Sequence, residues 1–339
     1  MKTLVRATNW VGDVILSLPA VRALRAGLRR DELCVLARPW VADLYRLLPE
    51  VDRVLVEDPK TGPEEVARKL AQQRFDRAVL LPNSFGTAWT VFRAGIPERI
   101  GYPAELRAPL LTRRVRPAPR PGEHQVWKHL RVAEAAGAPA VSAPDVSWPV
   151  GEAQRQAARK LLGDAGWDGR PFAAAHVASF AHAAKRWPLP RYARVFERLA
   201  EEQGFTVVLL GSAGERAVNG EAAALGPAAR VLDLSGRSTL AEVLGILSMA
   251  ALFVGNDSGI AHLANAAGAP TVVVFGSTDP DATRPWDGPR GDGKPARLAL
   301  VRRRPLCAPC RFDVCPLDHR CMTDVSVEDV LSAARSLLK

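Results

Sequence analysis

The sequence predicts an α/β protein of two doubly wound, mainly parallel sheets facing a central cleft. Three observations carry that prediction. Short runs rich in Val, Leu and Ala alternate with segments of helical periodicity, the pattern of βα units in a parallel sheet. The alternation comes in two series, separated by the Pro-rich stretch 137–150. A chain of 339 residues also exceeds one ordinary core, so two domains are expected. The expected segments are 1–150, 151–325 and a C-terminal helix, 326–339, packing back on the first domain.

In the first series Leu4–Thr8 reads as a strand. It runs through Asn9-Trp10-Val11-Gly12-Asp13 into a helix from Val14 to Arg29, whose Leu18, Val21, Leu24 and Leu28 share a face. Cys34–Ala37, Val54–Val56 and Ala78–Leu81 read as further strands, joined by helices over Val41–Leu48, Glu64–Gln73 and Thr87–Ala94. The fourth strand opens into Pro82-Asn83-Ser84-Phe85-Gly86. From Pro103 to Pro121 Pro and Arg dominate, which predicts a surface loop or lid. A helix over Val126–Ala136 ends the series.

The second series begins with a helix over Glu152–Ala165 and strands at Phe172–Val177 and Thr206–Leu210, with another strand ending at Asp233. Helices fall at Pro190–Gln203 and Leu240–Ala250, and Val327–Leu338 is amphipathic, with Leu331, Ala334 and Leu338 on one face. The most informative stretch is 251–276. Two buried-strand runs, Ala251–Val254 and Thr271–Phe275, enclose the turn Asn256-Asp257-Ser258-Gly259 and a short Ala-rich helix. In open α/β sheets ligands bind beyond the carboxyl ends of the strands, where helix N-termini offer N–H groups to anions. A nucleotide phosphate fits such a turn beside Asp257 and His262; an ordinary capped βα turn with a buried His fits the same residues equally well.

Composition narrows the partners. The chain is 47% hydrophobic and 24% charged, ordinary for a soluble globular protein. No apolar run reaches membrane-spanning length and the N-terminus shows no signal-peptide core, so a cytoplasmic protein is expected. The formal charge of +10 points to an anionic partner. Between Arg99 and Arg131 eight basic residues (Arg99, Arg107, Arg113, Arg114, Arg116, Arg120, Lys128 and Arg131) face only Glu105 and Glu123. Part of that excess is explained by Arg serving as a general surface cation. Three Tyr and no nucleic-acid-binding motif argue against DNA or RNA, which leaves an anionic membrane surface or a phosphorylated substrate. Cys307, Cys310, Cys315 and Cys321 have a spacing able to hold zinc or an iron–sulfur cluster, without the second C-x-x-C of a zinc ribbon; a disulfide is disfavoured in a reducing cytosol.

Four strand-end turns collect polar residues, around Asp13, Lys185, Glu215 and Asp257. Each side chain alone has an ordinary reading as a helix cap or a solvated charge. Together they suit a diphosphate neutralised by Lys185, a ribose held by Glu215, phosphates seated at Asp257 and His262, and Asp13 as a general base. No G-x-G-x-x-G, P-loop, metalloprotease or nucleophile-elbow motif is present, which disfavours dehydrogenases, NTPases and hydrolases. A nucleotide-diphosphate sugar donor needing no bound cofactor remains. Cations and helix N-termini would stabilise its leaving diphosphate.

Several motifs carry a family resemblance. Asn9-Trp10-Val11-Gly12-Asp13, Leu81-Pro82-Asn83-Ser84-Phe85, Gly95-Ile96-Pro97-x-Arg99-Ile100-Gly101, Ala184-Lys185-Arg186-Trp187-Pro188, Asn256-Asp257-Ser258-Gly259-x-x-His262 and Cys307-x-Pro309-Cys310-x4-Cys315-Pro316 run in order along nearly the whole chain. They resemble the ADP-heptose:lipopolysaccharide heptosyltransferases of glycosyltransferase family 9. The resemblance implies a GT-B fold, with the acceptor on the first Rossmann-like domain and the nucleotide sugar on the second. It implies an inverting reaction with no metal or other cofactor. Asp13 would be the catalytic base; Ser179, Lys185, Glu215, Asp257, Ser258, Gly259 and His262 would bind ADP-heptose. Asn83, Ser84, Arg113, Arg114 and Arg120 would meet the anionic inner core of lipopolysaccharide at the inner-membrane surface. The alternatives are another nucleotide sugar or acceptor within the family, or a silent glycolipid-binding GT-B module. One departure bears on the donor. Where the family usually has Pro-Gly-Ala, this chain has Ala175-His176-Val177-Ala178-Ser179, without the glycine that lets backbone approach phosphates.

Overall fold

The computed structural model describes residues 1–117, 122–179, 183–226, 228–291 and 293–339. The chain folds as two units, Met1–Val146 and Ser147–Lys339.

In the first unit the elements alternate as β1 (Lys2–Arg6), α1 (Val11–Gly27), β2 (Glu32–Ala37), α2 (Pro39–Arg46), β3 (Arg53–Val56), α3 (Pro63–Gln73), β4 (Arg77–Leu80), α4 (Phe85–Arg93), β5 (Glu98–Gly101), β6 (Arg113–Arg114) and α5 (Gln125–Ala135). The strands form one parallel sheet in the order β3-β2-β1-β4-β5-β6. Helices cover both faces of such a sheet, so its central strands bury nearly every side chain, as β1 and β2 do. The β1–β4 pairing is the point at which strand order reverses.

The second unit repeats the plan with α6 (Glu152–Asp164), β7 (Phe172–His176), α7 (Leu189–Gln203), β8 (Thr206–Leu209), α8 (Arg216–Leu225), β9 (Val231–Asp233) and α9 (Leu240–Met249). It continues through β10 (Leu252–Asn256), α10 (Gly259–Ala267), β11 (Thr271–Phe275), α11 (Pro280–Thr283), β12 (Leu298–Arg302), α12 (Arg320–Thr323) and α13 (Val327–Leu338). Its parallel sheet has the order β12-β11-β10-β7-β8-β9, and its reversal lies between β7 and β10.

Two expectations need correction. The Pro103–Pro121 stretch is not loop throughout: it holds a 3₁₀ turn at Ala108–Leu110 and the edge strand β6. The C-terminal helix, expected on the first domain, belongs to the second unit. Val330, Leu331 and Ala334 of α13 are buried in one core with Leu199, Val254, Val272 and Val274.

Helices α6 and α9 pack closely because Gly245 offers no side chain: a Cβ there would lie 2.3 Å from the Gln154 carbonyl oxygen. Gly163 of α6, by contrast, has open space around it. Gly245→Ala should therefore lower stability by about 1–3 kcal/mol through overpacking. Gly163→Ala should leave stability unchanged or raise it by up to about 1 kcal/mol through helix propensity. Urea denaturation of the two variants checks the contrast, and equal midpoints would contradict it.

Candidate active site

Two of the second unit's polar turns, those of Lys185 and Asp257, meet at the β7–β10 reversal, where a doubly wound sheet opens a crevice for ligands. The last residue of β10, Asn256, is fully buried and uses its whole carboxamide. Its Oδ1 accepts from the Trp187 backbone N–H at 3.0 Å and from the Tyr192 hydroxyl at 2.8 Å. Its Nδ2 donates to the Val177 carbonyl at 2.8 Å and the Ala178 carbonyl at 3.3 Å. One side chain thereby ties the end of β7 and the Lys185 turn to β10. Sequence reasoning named Asn256 as part of a motif and missed this role; a buried Asn ending a Val/Phe strand was the available signal.

Beyond that clamp, Lys185 Nζ donates to Asp257 Oδ2 at 2.9 Å, and the Thr278 hydroxyl donates to the same oxygen at 2.6 Å. Asp257 is 5% exposed and Lys185 retains 20%. Ser258 is the N-cap residue of α10 but makes no side-chain cap, and its buried Oγ has no hydrogen-bond partner. Gly259 opens the helix and His262 is buried in it. Ser179 is buried, and its carbonyl accepts from Arg186 at 3.0 Å. Beside Thr278 opens a cavity of about 270 Å³, lined in part by Asp279, Arg302, Arg303 and Arg304. The arrangement offers an anion a lysine ammonium and the free N–H groups of a helix start.

Glu215 stands apart from that cluster, on the turn after β8. Its Oε2 accepts from the Ser212 N–H at 2.7 Å and the Ser212 hydroxyl at 2.9 Å, and its Oε1 lies 3.4 Å from His176 Nε2. Burial by itself would raise this carboxyl, but the His176 ring and the Ser212 donors outweigh it and hold it at about 2. His176 is thus the internal partner of the residue expected to hold ribose.

In the first unit Asp13 lies in the first turn of α1, where the helix N-terminus favours a carboxylate. Burial pushes the Tyr45 hydroxyl up, and the charge of nearby Asp13 acts in the same direction. Asn83 and Ser84, at the end of β4 on the other side of the reversal, are exposed. Their turn is shaped by Arg107, which is completely buried. Its guanidinium donates to the carbonyls of Tyr102 (2.8 Å), Pro82 (2.7 Å) and Ser84 (3.2 Å) and to Asn83 Oδ1 (3.3 Å).

The basic stretch is consequently thinner than its composition implied. Arg107 is internal, Arg131 is paired with Glu123, and Arg99 donates to the Ile96 and Leu110 carbonyls. Arg113, Arg114, Arg116 and Lys128 remain exposed, while Arg120 lies outside the described residues.

The cysteine tail braces the Lys185 turn. The Ala184 N–H donates to the Asp313 carbonyl at 2.9 Å, His319 Nε2 lies 2.8 Å from the Ala184 carbonyl, and the Arg311 N–H donates to the Ser277 carbonyl. All four tail cysteines are free thiols, and burial together with Cys310, Cys315 and Cys307 pushes Cys321 up to about 11. Among the described residues no three His, Cys, Asp or Glu side chains are arranged to hold a metal ion.

The Glu215 contacts have a pH signature. A carboxyl depressed from 4.5 to about 2 contributes stability above its unfolded value, which is lost as pH falls through the folded one. Between pH 6 and pH 3 the wild type should lose more stability than Glu215→Gln. Urea midpoints at the two pH values measure this, and equal losses would remove Glu215 as a contributor.

Residues 64–290 match the family profile of glycosyltransferase family 9 (heptosyltransferase). Lipopolysaccharide heptosyltransferase 2 of Escherichia coli K12 is 30% identical over 318 residues, covering 84% of this chain and 85% of that protein. The solved structure of E. coli ADP-heptose LPS heptosyltransferase II superposes with a TM-score of 0.81 at 26% identity, covering 100% of this chain and 98% of that one. A family 9 glycosyltransferase from Veillonella parvula shares the fold, with a TM-score of 0.83 at 20% identity over 99% of this chain and 97% of that one. The two parallel sheets with flanking helices are those of the GT-B fold. The chain belongs to glycosyltransferase family 9.

Proposed function

We propose that the protein is an inverting heptosyltransferase that moves a heptose from ADP-heptose to the inner core of lipopolysaccharide. One observation carries the donor half. At the uncapped start of α10, a buried Asp257 holds Lys185 in place while Ser258 Oγ stands without a partner. An ammonium has three donors, and Asp257 takes one of them from Lys185. The others are available to a diphosphate, together with the helix N–H groups. As the bond from the anomeric carbon to the diphosphate oxygen breaks, ADP gains negative charge, and these fixed donors stabilise it without reorganising.

Asp13 completes the reaction in this reading. Its carboxylate takes the proton of the acceptor hydroxyl as that oxygen bonds to the anomeric carbon from the face opposite ADP, which inverts the centre. Asn83 and Ser84, exposed beside the β1–β4 reversal, line the acceptor side. The exposed Arg113 and Arg114, with Arg120, meet the acidic groups of the inner core. A lipid-borne acceptor would bring the enzyme to the cytoplasmic face of the inner membrane as a peripheral protein. Among the described residues no helix is long and apolar enough to cross a membrane. ADP-heptose and lipopolysaccharide are the molecules named for the similar E. coli enzyme, and they are this chain's expected substrates.

The roles separate experimentally. Asp13→Ala should reduce transfer by about 10²–10⁴-fold, the contribution of a general base, with ADP affinity by calorimetry unchanged. Lys185→Ala should weaken ADP binding. Equal loss of ADP binding and transfer in Asp13→Ala would sink the base assignment.

A further inference from the structure

Two tryptophans stand in water on the turns around Asp13. Trp10 is 55% exposed and Trp40 47% exposed, although indole rings are highly buried on average. Trp10 is the N-cap residue of α1, and Trp40 lies in the first turn of α2. Their strands β1 and β2 are adjacent and parallel, so both turns leave the same rim of the sheet side by side. Trp40 is fixed there: its Nε1 donates to the Asn9 carbonyl at 2.6 Å. The ring therefore lies against the turn that presents Asp13.

A fixed, solvent-facing Trp40 next to a second exposed indole and a carboxylate describes a particular ligand. A pyranose ring has an apolar C–H face, which packs on an indole, and a rim of hydroxyls, which donate to oxygens. A nucleotide would bring its phosphates towards Asp13, and an acyl chain would set apolar groups against the Asp13 carboxylate. We propose that Trp10 and Trp40 form the platform for a neutral sugar ring of the acceptor, which aligns the attacking hydroxyl with Asp13. The proposal rests on the heptosyltransfer reading for its acceptor. It adds two positioning residues that the basic patch and the Asn83–Ser84 turn do not supply.

The test uses the full chain with ADP-heptose and a de-O-acylated inner-core acceptor carrying Kdo and one heptose. In Trp10→Ala and Trp40→Ala the acceptor KM should rise about tenfold or more, equivalent to losing about 1.4 kcal/mol of binding. The KM for ADP-heptose and the affinity for ADP should stay at wild-type values, and Trp40→Phe should recover most of the acceptor KM. Unchanged acceptor KM in both Ala variants, at wild-type urea midpoints, overturns the platform. Loss of sedimentation with anionic phospholipid vesicles while oligosaccharide kinetics stay intact also overturns it, because the rings would then serve the bilayer. If the wild type transfers no heptose, the heptosyltransfer reading falls and the platform is judged by fluorescence. Quenching by the same oligosaccharide that both Ala variants diminish upholds it, and absence of quenching refutes it.

Discussion

The polar cluster at the β7–β10 reversal depends on a single buried carboxamide. Without Asn256 the end of β7, the Lys185 turn and the first turn of α7 would each carry an unsatisfied polar group in a dry environment. A buried donor or acceptor left unpaired costs about 1–3 kcal/mol. The clamp makes Lys185 and Asp257, 72 residues apart, neighbours at 2.9 Å. It is reinforced from outside: Trp187 is fully buried, packs edge-on against Tyr192 and donates through Nε1 to the Val325 carbonyl just before α13. The C-terminal helix thus stabilises the site from behind. Its apolar face and the position of a charged side chain belong to one packing arrangement.

Close backbone approach is the second constraint. A Cβ on Gly255 would lie 2.9 Å from the His176 carbonyl oxygen, so β7 and β10 meet at a spacing a side chain would obstruct. Gly236 has φ +67° and presses on Ala213, whose turn carries Ser212 and Glu215. The departure at 175–179 acquires a physical meaning here. His176 there adds a partner for Glu215. The carboxylate is held on one side by His176 and on the other by Ser212, which fixes its orientation.

Much of this was legible in the sequence, and what was not has identifiable causes. The Val- and Phe-rich β10 and β11 announce themselves because central parallel strands bury both faces. By the same logic β5, β6 and β12 were missed. Two are at sheet edges, β6 consists of two arginines, and β5 has a single large apolar residue. Helix α8 was also missed, its signal diluted by small residues. The turns holding Asp13, Lys185, Glu215 and Asp257 could be placed at strand ends, but not their partners. A turn motif reveals which groups are present, whereas the Lys185–Asp257 and His176–Glu215 contacts are set by strand order. Arg107 illustrates the limit most sharply: in a Pro- and Arg-rich stretch, nothing local separates a surface cation from a buried one.

That buried arginine also sets the electrostatics of the Pro82–Ser84 turn. Among the described residues no carboxylate lies within ion-pair distance of Arg107, so carbonyl, amide and hydroxyl oxygens carry its solvation. Burial pulls its guanidinium down to about 10, with Glu105 opposing, and it remains charged at neutral pH. An uncompensated cation inside a protein is costly, and neutral oxygens offset that cost only when several converge. Five do so here, three of them from the Pro82–Ser84 turn. The charge therefore does two things at once. It fixes the backbone that displays Asn83 and Ser84, and it leaves positive potential beneath that turn, weakly screened because water is excluded. The exposed Arg113 and Arg114 stand nearby on β6 in higher dielectric, where salt weakens them. Any anion would feel the internal charge most when it covers the turn, so the attraction strengthens on close approach rather than at long range.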